Sequence, residues 1–229
     1  MQVRNSVMQT LARTLQDLIQ RGEWKPEQKI PSQRTLSEQY GVSRTSLREA
    51  LLTLETLGLI RTYPARGTFV TGPLSRARRD EIRWRYSDDY SLREVFDIRM
   101  LIEGRLAAGA AGTMTAADIA ALHAATDAME KAWTDGDLLA NVGADLFFHR
   151  LIADSCQNRL LRQTYISLRD FLAETQRLPI PFTERDRMSG SIAEHRAIAA
   201  AIEARDAAGA EAAMIGHIRK TAACAGVLV

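Results

Sequence analysis

Apolar positions in the first third of the chain recur at helical spacing and then change to short extended runs. Val7, Met8, Leu11, Leu15, Leu18 and Ile19 fall on one face of a helix that closes at Gly22. Pro26 and Pro31 bracket a connector. Ser32 stands where a cap is needed for a second helix over 33–40, and Gly41 can supply the left-handed residue that ends it. Ser43 caps a third helix, with Leu47, Ala50, Leu51, Leu54 and Leu57 facing inward until Gly58 stops it. Two β-prone stretches, LIRTY and TFV, follow. Pro64-Ala65-Arg66-Gly67 joins them as a hairpin turn.

Beyond residue 90 the pattern is helical throughout. Ser91 and Glu94 form a capping box ahead of Val95, Phe96, Ile98, Leu101, Ile102, Leu106 and Ala110, and Thr115 with Asp118 repeats the start signal. Further helices are predicted over about 116–133, 138–155, 159–177, 190–205 and 207–224, with Pro179 and Pro181 ending the one over 159–177. The fold class is therefore mainly α: an N-terminal winged helix-turn-helix of three helices plus a β-hairpin, and a C-terminal all-α antiparallel bundle of six or seven helices. The domain boundaries follow as 1–72, a linker at 73–90 and 91–229. The linker reads as a hinge with a short helical piece, and Trp84 and Tyr86 pack it onto a domain.

Composition narrows the function. The net charge of +2 conceals an uneven distribution, because residues 1–75 carry 10 Lys/Arg against 6 Asp/Glu whereas residues 76–229 carry 20 against 22. A basic N-terminal end permits nucleic-acid binding without establishing it. The motif decides: the second helix of the helix-turn-helix presents Arg44, Thr45, Ser46 and Arg48 in its first turns, the positions that enter the major groove, and Arg66 at the hairpin tip can reach phosphate or the minor groove. The chain has no apolar run of membrane-spanning length and no signal-peptide pattern, so a cytoplasmic protein is expected. Cys156 and Cys224 stand apart, which argues for reduced, packed thiols rather than a disulfide or thiolate site.

Histidines carry the remaining chemistry. Asp145 and His149 lie four residues apart on one helix face, and His195 and His217 sit on apolar stripes of two other helices. Each alone reads as a hydrogen-bonded structural residue. Together they bring one carboxylate and three imidazoles into a bundle interior, where metal sites are built from facing helices.

The N-terminal segment resembles the GntR superfamily of bacterial regulators through Ile30-Pro31-Ser32-Gln33-Arg34, Gly41-Val42-Ser43-Arg44-Thr45, Arg48-Glu49-Ala50-Leu51 and Arg66-Gly67-Thr68-Phe69-Val70. It departs from the usual pattern at Gln28, where glycine is common, and at Gln33, where glutamate is usual. The C-terminal segment resembles the FCD ligand-binding domain of the FadR-like branch, through Phe96-Asp97-Ile98-Arg99 with Glu103, Asp145-Leu146-Phe147-Phe148-His149, Asn158, Glu194-His195 and Gly216-His217.

These resemblances imply a DNA-binding transcriptional regulator, a repressor, with Arg34, Arg44 and Arg48 at the operator and Gly67 letting the wing backbone approach DNA. They imply a divalent metal on Asp145, His149, His195 and His217, zinc first, with nickel or manganese as alternatives. A small organic-acid effector would complete the coordination, its carboxylate paired by Arg99. Arg99 can equally form a salt bridge with Asp97, Glu103 or another acid of the bundle. His123 matches no ligand position and reads as structural. The expected partners are a short palindromic duplex operator and a second copy of the chain. Two alternatives stand beside this reading: a purely structural metal, and a metal-dependent hydrolase, for which no H-E-x-x-H motif or tied general base is present.

Overall fold

The structure, a computed structural model, describes residues 2–71 and 84–229, with side chains from residue 7 onward. The chain divides into two compact units, Met1–Arg78 and Arg79–Val229. Most of the expected hinge at 73–90 lies outside the described residues. In its last part, Trp84 belongs to the core of the second unit and Tyr86 packs against that core.

In the first unit, α1 (Gln2–Gln20), α2 (Gln33–Tyr40) and α3 (Arg44–Thr56) precede the antiparallel strands β1 (Ile60–Tyr63) and β2 (Gly67–Val70). The predicted caps operate. Ser32 Oγ accepts from Thr35 N, Ser43 Oγ accepts from Ser46 N, and Gly41 is left-handed at φ 62°. Leu11, Leu15, Leu36, Leu47, Leu54, Leu57 and Ile60 fill the core, each no more than 4% exposed. Burying such leucines contributes about 1.5–3 kcal/mol apiece, which anchors α3 and therefore the direction of its outer face. Val7, expected on the buried stripe of α1, is exposed, because the stripe meets the core only from Leu11 onward.

The connector between Pro26 and Pro31 does more than join helices. Glu27 N donates to Val70 O, Val70 N to Gln28 O and Ile30 N to Thr68 O, so residues 27–30 pair along the outer edge of β2. The wing is thereby braced on both sides, since Glu55 of α3 also accepts from Thr62 N on β1 at 2.7 Å.

The second unit contains α4 (Leu92–Thr113), α5 (Ala116–Thr134), α6 (Leu138–Asp154), α7 (Arg159–Arg177), a 3₁₀ turn (Ile180–Phe182), α8 (Arg185–Glu203) and α9 (Ala207–Cys224). Both capping boxes, Ser91 with Glu94 and Thr115 with Asp118, are formed. The six helices agree with the expected bundle, but α8 begins five residues before the predicted start at 190. Its first turn has no side-chain cap, as Glu184 makes no capping hydrogen bond, while Ser189 and Gly190 lie within the helix. The core centres on α4, which packs most extensively on α9, with α5 on α6 and α8 on α9. Phe96, Leu106, Leu122, Phe148, Ile198 and Met214 are almost fully buried there. Trp84 joins this core, and Tyr86 packs its ring against Phe171 at 4.4 Å. Among the described residues no helix is long and apolar enough to cross a membrane.

Candidate metal centre and nucleic-acid interface

Four helices deliver the polar interior of the second unit. Asp145 and His149 come from α6, one turn apart, His195 from α8 and His217 from α9, while α4 supplies Arg99 and Glu103 behind them. One donor atom from each of Asp145, His149, His195 and His217 lies within 4.8 Å of the other three. Donors about 2.0–2.2 Å from one ion are at most about 4.4 Å apart, so only a small contraction is needed to share it. The three imidazoles are no more than 4% exposed.

Two of the three imidazoles, His195 and His217, are held by a hydrogen bond at Nδ1. His195 Nδ1 donates to the Ser191 carbonyl at 2.8 Å, and His217 Nδ1 donates to Glu194 Oε2 at 2.9 Å. His149 Nδ1 lies 2.5 Å from Glu103 Oε2, an ion pair by distance without the direction of a hydrogen bond. His195 Nε2 lies 2.8 Å from Asp145 Oδ1, and Nε2 of both His149 and His195 is buried without a hydrogen-bond partner. Outer partners that fix the tautomer and leave the inner nitrogen free are the usual environment of metal-bound histidine. The donor set therefore fits a divalent ion.

Charge states agree with this arrangement. Burial and the neighbouring His195 ring push His217 down to about 3, so it is neutral near pH 7 and keeps its lone pair. Burial alone would raise Glu103, but the Arg99 guanidinium and the adjoining His149 ring outweigh it and hold the carboxyl at about 2. Burial of Glu194 is likewise outweighed, here by His217 and Arg187, again to about 2.

Arg99 is fully buried. Its Nε donates to Glu103 Oε1 at 2.7 Å and its Nη1 to Thr175 Oγ1 at 3.1 Å, while Nη2 has no partner. The salt bridge anticipated as one of its two roles is present, and it runs to Glu103. A cavity of about 50 Å³ opens beside the cluster, room for a few waters. Asp145 and His217 form part of its wall, with Asn141, Gln176 and Arg187; Arg99 does not line it. Sequence reasoning named Glu103 only as a possible partner of Arg99 and gave Glu194 and Arg187 no role at the site. Glu103 and Glu194 stood in recognised motifs, but nothing local to Arg187 distinguished it from other surface arginines. His123 lies outside the cluster, half-exposed, 3.2 Å from Glu203 Oε2. Cys156 and Cys224 are both free thiols.

In the first unit Arg44, Thr45 and Arg48 are exposed on the first turns of α3, with Ser46 half-buried because it completes the Ser43 cap. Arg34 is exposed on α2 and bonds Glu38 at 3.2 Å. At the wing tip, Arg66 lies over the Tyr63 ring at 5.2 Å and the Phe69 ring at 5.9 Å, which aims its guanidinium along the hairpin. Gly67 adopts φ 105°, and a Cβ there would come within 2.6 Å of Lys29 Cε. These residues belong to the first compact unit and the histidine cluster to the second.

Comparison with known proteins separates along the same line. Residues 8–70 match the bacterial regulatory proteins of the gntR family, and residues 94–220 match the FCD domain. The HTH-type transcriptional regulator LutR of Bacillus subtilis (strain 168) is 32% identical over 215 residues, 88% of this chain and 93% of its own length. The galactonate operon transcriptional repressor of Escherichia coli (strain K12) is 28% identical over 213 residues, 90% of each chain. Among solved structures, E. coli McbR/YncC superposes with a TM-score of 0.58 at 22% identity, covering 98% of this chain and 95% of that one, a likeness of fold.

Proposed function

Because the chain belongs to the GntR family of bacterial regulatory proteins and carries an FCD domain, and is thus a transcriptional regulator rather than an enzyme, we propose that it is a homodimeric repressor released or engaged by a small organic acid bound at a metal centre. The observation that carries the sensory part is the convergence of three buried imidazoles and Asp145 beside a cavity, with unpaired Nε2 atoms facing inward.

For DNA, the exposed first turns of α3 support Arg44, Thr45, Ser46 and Arg48 as readers of base edges in the major groove. Arg34 and Arg66 would neutralise phosphates, and Gly67 would let the wing backbone approach closely. Two copies related by a two-fold axis would read a short palindrome. The two compact units, Met1–Arg78 and Arg79–Val229, would divide this labour.

For sensing, Asp145, His149, His195 and His217 would hold a divalent ion, zinc first. When bound, the ion supplies positive charge and coordination positions for an effector's oxygens. Ser191, Glu194 and Glu103 orient the three rings, and Arg99 holds Glu103 against His149. The likeness to a galactonate operon repressor supports a sugar acid or similar carboxylate. Shifting a two-state equilibrium from 1:99 to 99:1 requires the effector to favour one state by about 5.5 kcal/mol.

The test is a mobility-shift titration of the metal-loaded full chain on an operator recovered by genomic selection, with and without D-galactonate and other small carboxylates. A change in operator affinity that disappears in His195→Ala is expected. Operator affinity indifferent to every acid, with metal binding intact, would leave the ion as a structural clamp.

A further inference from the structure

We propose that Arg187 is the carboxylate-reading residue of the effector cavity, and that the effector is a two-ended organic acid spanning from Arg187 to the Asp145–His217 wall. This inference rests on the sensory reading above.

Among the residues lining the cavity, Asp145 and Arg187 alone carry formal charge at neutral pH. They give it one acidic, metal-ligating side and one cationic side. Asn141, by contrast, has its amide committed to the Met129 carbonyl at 2.9 Å. Arg187 is prepared for the task. Its two terminal nitrogens donate to the two oxygens of Glu194, each at 2.9 Å, so the guanidinium plane is fixed by a two-bond fork. A guanidinium has five N–H donors, and the fork uses two of them. The side chain is 25% exposed, so an anion entering the cavity can reach it without displacing the core.

Glu194 is also equipped to share Arg187. Its Oε1 has a second cation, Lys220 Nζ at 3.1 Å, and its Oε2 accepts from His217 Nδ1. A carboxylate drawing on Arg187 therefore leaves Glu194 paired, and Glu194 still orients His217. Arg99 has the opposite setting: it is fully buried, bound to Glu103 and Thr175, and absent from the cavity wall. A simple fatty acid has one polar end and leaves either Arg187 or the Asp145–His217 side facing hydrocarbon. An acid with oxygens at both ends, such as a dicarboxylate or a sugar acid, satisfies both.

Succinate and butyrate have the same four-carbon length and differ in the far carboxylate, which makes them a matched pair. Calorimetric titration and thermal shift of the zinc-loaded full chain with succinate, D-galactonate and butyrate are expected to show succinate or galactonate binding at least about ten-fold more tightly than butyrate. Arg187→Gln should reduce the preferred acid to the butyrate level, and Arg187→Lys should fall between, since it keeps the charge but loses the fork. Helical circular dichroism and zinc stoichiometry, unchanged in both variants, would exclude a folding defect. Equal binding of the preferred acid by wild type and Arg187→Gln would overturn the role of Arg187 and leave the sensory reading intact. Butyrate binding as well as the two-ended acids, or none of the three binding at 10 mM (roughly the weakest affinity worth about 3 kcal/mol), would overturn the two-ended ligand. An acid that binds through Arg187 yet leaves operator affinity unchanged would instead defeat the sensory reading alone.

Discussion

Removing Glu103 while keeping Arg99 tests how the bundle tolerates charge at its centre. Arg99 is fully buried, and its only charged partner among the described residues is Glu103, itself 2% exposed. Glu103→Leu leaves the guanidinium with one neutral acceptor, Thr175 Oγ1, and with Nη2 still unpaired. Breaking a buried pair on one side costs about 3–5 kcal/mol, and for a unit of this size each kcal/mol lowers Tm by about 2–4 °C, so a fall of about 6–20 °C is expected. Replacing both partners by apolar residues, Arg99→Met with Glu103→Leu, removes the stranded charge and should restore most of the loss. The assay is thermal unfolding of the metal-free full chain followed at 222 nm, completed as a double-mutant cycle. His149 reports separately, because loss of the carboxylate behind a ligand reduces metal affinity by about 10–100-fold. A single variant within about 1 kcal/mol of wild type, or a double variant less stable than the single, would refute the buried-pair reasoning.

The wing and the recognition helix provide further tests. Gly67→Ala is expected to cost about 1–3 kcal/mol in the winged unit, because φ 105° strains any side chain; adding Lys29→Ala should not rescue it, whereas full rescue would mean that crowding, not backbone conformation, sets the cost. Arg44→Ala should weaken binding to a selected operator by about 1–3 kcal/mol and relax its sequence preference, measured by competition among operator variants. Arg66→Ala should weaken all sequences alike and reduce the log–log salt slope by about 1; an unchanged slope would remove the wing tip from the phosphate contacts.

Most of the architecture was legible because its boundaries are written in local chemistry. Ser32, Ser43, Ser91 and Thr115 cap the helices they were expected to cap, and Gly41 and Gly58 take positive φ where helices stop. The misplaced start of α8 follows from the same rule, since its first turn has no side-chain cap to read. Pairing of residues 27–30 with β2 escaped notice because flanking prolines disguise a segment whose partner lies forty residues away. At the candidate centre, spacing links Asp145 to His149 on one helix, whereas the meeting of His195 with His217 is a matter of how α8 packs on α9. The resemblance to a family supplied that pairing before the structure did. Arg187 had no such signal: its importance arises only where the cavity forms.

The three imidazoles are not held by equivalent means, and this bears on how the centre can evolve. His149 and His217 are oriented by carboxylates, Glu103 and Glu194, whose identity a single codon change can alter. His195 is oriented by the peptide oxygen of Ser191, which persists whatever side chain stands at 191 as long as α8 remains helical. Variation at positions 103 and 194 can therefore retune two rings, and with them the preference for any metal the cluster holds, around one that inheritance cannot easily loosen. Relatives that diverge in metal choice should differ first at those two acidic positions, with the third ring serving as a fixed reference for the cluster.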